Sequence, residues 1–457
     1  MTDTPARKMW HRPGGGLPSD RPSGSVRISP PRLFALALAV MILVGGLALL
    51  APGMAEPALS VPEALFTATS AMTVTGLSII DVGQRLTPAG QAVLLVLIQL
   101  GGLGLSVFAA LTMITLGGRL GLGQRLVVNQ RLGTTSLAEA VPLVRSIGLI
   151  TLGVELVGAA LLAVALPGDA LGARPLWTAL FHAVSAFNNA GFALPSAGLA
   201  AWSGETAALG VVAALIVTGG LGFPVLVAVA RRSRWSLHTR VMIWGSAALI
   251  LGGGLVLAAL EWRSPQTLGD LPSTARMVEA LFLSISTRTA GFSTIDMAAL
   301  TAPALLVVMV LMFIGAGPAS TGGGIKLSTA VVLTAATAAY LRRDTEVTIG
   351  RRSLPPEAAS QALSVALISL FAIALLIFAL LITTPGISLA GAAFEIVSAY
   401  ATVGLSAGAT AATDISGQVV LMLAMYLGRL GPLVLGFALV TRTSARIGRP
   451  RADVLMG

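Results

Sequence analysis

The chain has 457 residues, of which 55% are hydrophobic and only 11% charged, with a mean hydropathy of +0.88 and a formal net charge of +10. Soluble domains carry about 25% charged residues, so this composition excludes an ordinary soluble protein and points to lipid. There is no cysteine, which excludes disulfides and thiolate metal sites.

Residues 1–32 form a polar, Pro- and Gly-rich leader carrying Arg7, Lys8, Arg12, Arg21, Arg27 and Arg32. It reads as a disordered, basic, cytosolic N-terminus. The apolar run 33–51 exceeds the roughly 7–15 residues of a signal-peptide core and reads as a first membrane span. About 20 apolar residues cross the hydrocarbon as a helix, which places further spans near 86–117, 141–166, 205–230, 239–260, 301–341, 358–383 and 416–440. The expected fold is all-α and integral to the membrane, with eight spans in four pairs.

Inside each pair lies a segment too short to cross, at 60–72, 174–187, 273–287 and 389–400. Irregular backbone at membrane depth is tolerated only where it is buried in protein or lines a water-filled cavity. Each short segment runs into a glycine motif: Met72-Thr73-Val74-Thr75-Gly76-Leu77, Phe187-Asn188-Asn189-Ala190-Gly191-Phe192, Thr287-Arg288-Thr289-Ala290-Gly291-Phe292 and Tyr400-Ala401-Thr402-Val403-Gly404-Leu405. Ten residues before the glycines stand Phe66, Phe181, Leu281 and Phe394, expected as apolar anchors at one depth. The pattern divides the chain into 33–117, 141–230, 239–342 and 358–441, with a cytosolic C-terminus at 442–457.

Four glycine loops behind four short helices are what a single chain needs for a four-fold pore. Glycine lets successive carbonyls turn toward one axis because it has no Cβ to clash at positive φ, and carbonyl rings can replace the water around a potassium ion. The fourth loop comes closest to the Thr-Val-Gly-Tyr-Gly sequence of potassium filters. The expected ion-binding residues are Thr73, Val74, Thr75 and Gly76; Asn188, Asn189, Ala190 and Gly191; Arg288, Thr289, Ala290 and Gly291; and Ala401, Thr402, Val403 and Gly404. The Arg288 side chain would repel a cation, so it is expected to turn away and pair with Glu279 or Asp296.

Basic residues set the orientation. With the N-terminus inside, the cytosolic segments hold Arg119, Arg125, Arg131, Arg145, Arg231, Arg232, Arg234, Arg240, Arg342, Arg343, Arg351, Arg352, Arg442, Arg446, Arg449 and Arg451. The outer segments hold only Arg85, Arg174, Arg263, Arg276 and Arg288. Both termini are then cytosolic, and the basic excess requires no nucleic-acid partner.

The span 301–341 is interrupted at 315–324 by five glycines and a proline, which cost about 1 and 3 kcal/mol each in a helix interior. Arg429 lies mid-span, where a charge costs at least about 2.5–3.5 kcal/mol. Its expected partners are the free carbonyls of that interruption, with Glu155 as the alternative. Lys326, just after the break, either snorkels toward the cytosol or takes part in gating.

These stretches carry a family resemblance. The four glycine loops, the run Phe313-Ile314-Gly315-Ala316-Gly317-Pro318-Ala319-Ser320-Thr321-Gly322-Gly323-Gly324-Ile325-Lys326 and the segment Tyr426-Leu427-Gly428-Arg429-Leu430-Gly431 resemble the Trk/Ktr/HKT superfamily of potassium transporters, over roughly residues 33–445. Without an extra N-terminal pair of spans, the chain looks more like the Ktr membrane subunit than the longer Trk one. The alanine-proline form of the interruption, Gly317-Pro318-Ala319-Ser320, departs from the family's usual loop. The resemblance implies potassium uptake across a bacterial cytoplasmic membrane, with potassium as the transported ion, sodium as a candidate activator and no cofactor in this chain. It implies a homodimer docked on a cytosolic nucleotide-binding regulatory subunit. It also implies a gate at 315–324 made by Gly315, Gly317, Ser320, Thr321, Gly322, Gly323, Gly324, Lys326 and Arg429. A sodium- or proton-coupled cation symporter, or a non-conducting membrane scaffold or enzyme, are the alternatives.

An enzyme is not expected. Gly404-Leu405-Ser406-Ala407-Gly408 fits a nucleophile elbow, but the histidines are only His11, His182 and His238, and none is placed to serve Ser406. Gly322-Gly323-Gly324-Ile325-Lys326 lacks the Gly-Lys-Ser/Thr of a phosphate loop. His182 reads as a hydrogen-bonded core residue.

Overall fold

The computed structural model describes residues 30–115, 137–167, 170–232 and 235–431. Most of the leader 1–32, the basic segment with Arg119, Arg125 and Arg131, and the tail from 432 onward, including 442–457, lie outside the described residues.

The described residues are mostly helical. Among the described residues, four helices are each long and apolar enough to cross a bilayer: Arg32–Leu49, Arg145–Ala165, Leu237–Glu261 and Glu357–Thr383. Each precedes one of the short helices, Val61–Thr73, Pro175–Phe187, Ser273–Ser286 and Leu389–Tyr400. The starts of these short helices are written locally. Ser60 and Glu63 form a capping box, Pro175 sits where its missing N–H costs nothing, and Ser388 Oγ accepts from Gly391 N (3.0 Å). The C-terminal halves of Val61–Thr73 and Pro175–Phe187 are buried without a break, and in the other two only Leu281, Ile285 and Val397 are half-buried, as a re-entrant helix requires.

The helices that follow the glycine loops are Pro88–Thr115, Thr206–Leu221, Ala302–Phe313 and Ile415–Leu430. The segment 205–230, expected as one span, is instead bent by 104° between Leu221 and Phe223. Gly222 has φ +97 there, and Pro224 stands in the first turn of the next helix, Phe223–Ala230. The freed Phe223 N–H donates to Ala319 O (3.0 Å), so the bend is held by the interruption of the third pair. That interruption runs from 314 to 326, between Ala302–Phe313 and Leu327–Arg342, slightly wider than the glycines alone indicate. A small antiparallel hairpin pairs Thr348 with Ser353 and Ile349 with Arg352, an exception to the all-α expectation that Gly350 at φ +61 permits.

The anchors differ in one place. Phe66, Phe181 and Phe394 are fully buried, but in the third short helix the buried ring is Phe282, and Leu281 is only partly buried. The reason is register. Each short helix carries Phe, three residues, then Ser: Phe66–Ser70, Phe181–Ser185, Phe282–Ser286 and Phe394–Ser398. The third loop is one residue shorter between that Ser and its glycine. Phe282→Ala is therefore expected to cost about 3–5 kcal/mol, and Leu281→Ala roughly 1 kcal/mol. Thermal unfolding of the two variants in detergent checks the order; equal losses would refute this register.

Candidate functional site

The four glycine loops meet. A Cβ placed on Gly76 would lie 2.5 Å from Ala190 O and 2.9 Å from the Cα of Gly191. One on Gly191 would lie 2.9 Å from Ala290 O and 3.2 Å from the Cα of Gly291. One on Gly291 would collide with Val403 O beside Gly404, and one on Gly404 would collide with Thr75 O beside Gly76. The contacts run 76, 191, 291, 404 and close back on 76. Each glycine faces the carbonyl of the residue before the next glycine, so a ring of backbone leaves no room for a side chain.

The backbone conformation repeats with it. Positive φ occurs at Val74 and Gly76, Asn189 and Gly191, Thr289 and Gly291, and Thr402 and Gly404. A left-handed residue at every second position brings successive carbonyls to one side of the chain, where a strand would alternate them. Four of these are not glycine, at about 1–2 kcal/mol each, so the surroundings must hold them. The short-helix serines do this. Ser70 O accepts from Thr75 N (2.8 Å), Ser185 O from Ala190 N (2.8 Å), Ser398 O from Val403 N (2.8 Å) and Ser286 O from Ala290 N (2.9 Å). Ser70 Oγ and Ser398 Oγ accept from Gly76 N and Gly404 N (both 3.0 Å). Ser185 Oγ and Ser286 Oγ donate to the carbonyls of Phe192 and Phe292.

The side chains before the glycines point into the protein. Thr73 Oγ1 donates to Thr69 O (2.7 Å) and lies 2.8 Å from Thr75 Oγ1. Val74 packs at Gly101. Asn188 reaches Gln99, Glu155 and Val184 O. Asn189, in the amide orientation that satisfies its neighbours, donates to Ala186 O and Ile216 O (both 3.1 Å). Arg288 donates to Ser246 O (3.4 Å) and borders a small cavity with Ile216, Val217, Gly220, Ile250 and Ile285. It does not pair as expected: the Glu279 carboxylate is taken by Ser203 and Thr294, and Asp296 caps Ala298 N (2.9 Å). Thr402 Oγ1 is buried without a partner.

The interruption 314–326 lies against this end of the loops. A Cβ on Gly322 would strike Thr289 Oγ1, one on Gly323 would strike Thr402 Oγ1, and one on Gly324 would come 3.4 Å from Ala401 O. The loop is tied on all sides. Gly315 N donates to Ile325 O (2.9 Å), Gly317 N to Gly220 O (2.9 Å) and Leu327 N to Ala316 O (3.2 Å). Thr321 Oγ1 donates to Phe187 O (3.2 Å), while Ser320 Oγ is buried without a partner. Arg429 Nη1 donates to Thr321 O (2.6 Å) and Nη2 to Gly101 O. The alternative partner, Glu155, is engaged by Asn188 and Gln99. Lys326 does not snorkel: its Nζ donates to Gly322 O (2.7 Å) and Gly323 O (3.3 Å), across the short reach of its own loop.

Some of the supporting residues were not singled out from the sequence. Gly101, Gly219 and Gly428 receive the carbonyls of Met72, Phe187 and Tyr400 at the ends of three short helices, so close that a Cβ would overlap them. The doublets Gly101-Gly102 and Gly219-Gly220 were a visible signal. Glu395 gathers the segment after the fourth glycine, accepting from Ser406 Oγ (2.7 Å), Ala407 N (3.0 Å), Ala409 N (3.2 Å) and Thr410 Oγ1 (2.5 Å). In the second loop His182 has the matching place: its Nδ1 faces Thr178 O (2.7 Å) and its Nε2 accepts from Leu194 N (3.3 Å). Those two bonds place the imidazole proton on Nδ1.

The TrkH family model, described as a cation transport protein, matches residues 34–443. The chain is 37% identical to the Ktr system potassium uptake protein B of Bacillus subtilis (strain 168), over 96% of this chain and 100% of that protein. It is 36% identical to the Ktr system potassium uptake protein B of Vibrio alginolyticus, over the full length of both. Among solved structures, the potassium transporter TrkH from Vibrio parahaemolyticus superposes with a TM-score of 0.72 at 21% identity, covering 91% of this chain and 86% of that one.

Proposed function

Because the chain belongs to the TrkH family of cation transport proteins, we propose that it takes up potassium through the axis of the glycine ring. The ring contact carries this reading: four glycines, each facing its neighbour's carbonyl, on loops whose left-handed residues alternate. Such a site binds an ion through backbone oxygen, substituting for hydration, and the helix dipoles of the four short helices add partial negative charge at their C-terminal ends. The binding residues are then those of the four loops, from Thr73 to Gly76, Asn188 to Gly191, Arg288 to Gly291 and Ala401 to Gly404, acting through their main chain.

In this reading the units 33–117, 141–230, 239–342 and 358–441 surround one pore with eight crossings. The bent segment 206–230 and the interrupted segment 302–342 each count as one broken crossing. Irregular backbone at those breaks is admissible because it is buried between helices. The loop 315–324 is the gate, held by Arg429 and Lys326. The distribution of arginine supports cytosolic termini in a bacterial cytoplasmic membrane. Two relatives are named as proteins of a Ktr system, which supports work within a system of more than one component; the homodimer, the cytosolic nucleotide-binding regulatory subunit and sodium as activator rest on the family resemblance.

Rubidium tracer uptake into proteoliposomes tests the reading. Uptake should saturate and be suppressed by potassium at concentrations at least tenfold below those at which sodium suppresses it. Equal competition by sodium would favour a cation symporter without potassium selectivity. No uptake by either the native chain or an Arg429→Ala variant would leave a non-conducting membrane protein.

A further inference from the structure

Glu155 is a buried acid, 3% exposed, in the middle of the apolar helix Leu137–Ala165. Among the described residues its carboxylate meets amide donors and no cation. Asn188 Nδ2 donates to Oε1 at 3.0 Å and Gln99 Nε2 reaches Oε2 at 3.4 Å. Asn188 Nδ2 also faces Gln99 Oε1 (2.8 Å) and Val184 O (2.9 Å), so three acceptors share its two hydrogens. Asn188 Oδ1 has no partner and is pressed against Gly102. Asn188 stands three residues before Gly191, at the foot of the second loop.

An acid in lipid is costly and marks function more often than packing. Among the described residues no ion pair relieves the cost, although Arg429 binds Gly101 O one residue from Gly102. When ionised, this carboxylate adds negative charge and acceptor-only oxygens beside Asn188, behind one ring strand. Charges in a low-dielectric surrounding act over several ångströms, so the nearest mobile cation, one in the ring, is the natural counter-charge.

We propose that Glu155 is a positioning residue that determines cation affinity: it holds Asn188 and Gln99, and its charge stabilises the cation at the second loop. The inference rests on the potassium-uptake reading of the ring. It predicts that the charge matters beyond the shape of the side chain, since glutamine is nearly isosteric.

The test uses the full-length purified chain, with potassium-dependent thermal stabilisation in detergent at constant ionic strength as one readout and rubidium uptake as the other. Glu155→Gln should raise the half-saturating potassium concentration about tenfold and lower the preference over sodium. The double variant Gln99→Glu, Glu155→Gln moves the carboxylate across Asn188 while keeping the number of hydrogen bonds, and should return within threefold of the native affinity. Native affinity in Glu155→Gln would overturn the inference, as would a double variant that folds but stays weak. Where Glu155→Gln does not fold, the double variant decides in the same terms. If the native chain neither responds to potassium nor takes up rubidium, the ring reading fails and this inference falls with it. A native response with an unmoved Glu155→Gln removes the inference alone.

Discussion

Replacing Gly404 with alanine is expected to abolish potassium-selective uptake, by at least about 100-fold, in a protein that still folds. Gly404 has φ +94, which costs an L-residue about 1–2 kcal/mol. That strain alone would be survivable. The larger effect is steric: the new Cβ would overlap Thr75 O, itself one of the ring carbonyls, and come 3.0 Å from the Cα of Gly76. Backbone oxygen cannot swing aside as the end of a side chain can, so the ring opens and cation affinity goes with it. Gly386 separates the two causes. It has a similar φ of +89 but nothing within 4 Å of its Cβ position, so Gly386→Ala should keep uptake within about twofold while paying the same backbone strain. Gly76→Ser is the graded version: its Cβ meets Ala190 O at 2.5 Å, and the potassium-to-sodium ratio should fall about tenfold. Rubidium uptake with competing potassium or sodium reads all three. Full selectivity in Gly404→Ala would remove the ring from the mechanism.

Arg429→Ala is expected to raise rubidium flux about thirtyfold when the chain is reconstituted alone. The guanidinium binds Thr321 O at 2.6 Å and Gly101 O, bridging the loop 314–326 to the helix Pro88–Thr115. A hydrogen bond from a charged group contributes about 1.5–3 kcal/mol, and about 2 kcal/mol shifts a two-state gate roughly thirtyfold. Lys326 stays bonded to Gly322 O and Gly323 O, so the loop should loosen without collapsing. Arg429→Lys should fall between, because an ammonium has no planar fork to span two carbonyls. A folded Arg429→Ala protein with unchanged or slower flux would contradict a latch.

Some of this was legible residue by residue. Apolar length marked the long apolar helices, because lipid demands it locally. The positions of Gly76, Gly191, Gly291 and Gly404 were readable because a ring that excludes side chains can be built of nothing else. The break after Phe313 was readable from the density of glycine and proline. Arg429 was placed on the interruption because a mid-span charge must find acceptors, and helical neighbours offer none.

Other features were not legible, for reasons that are also physical. Counting ten residues back from glycine put Leu281 where Phe282 belongs, since the third loop is one residue shorter and only packing reveals which side chain is inside. The motif Phe-x-x-x-Ser, present in all four short helices, carried the right register and would have found both the anchor and the bracing serine. The bend at Gly222 depended on the bond from Phe223 N to Ala319 O, 96 residues away in the chain. Arg288 found a carbonyl rather than an acid, because Glu279 was already committed to Ser203 and Thr294.

The sequence by itself thus determined the apolar, helical class, the positions of the four glycines and the interrupted helix, all of which follow from what each short stretch can do in lipid. The tertiary structure alone decided the closing of the ring, the partners of Arg429, Lys326 and Glu155, and the register of the third loop. Those rest on bonds between residues such as Arg429 and Gly101, 328 positions apart, and a polar group in a packed interior takes whichever acceptor the folded neighbours leave free.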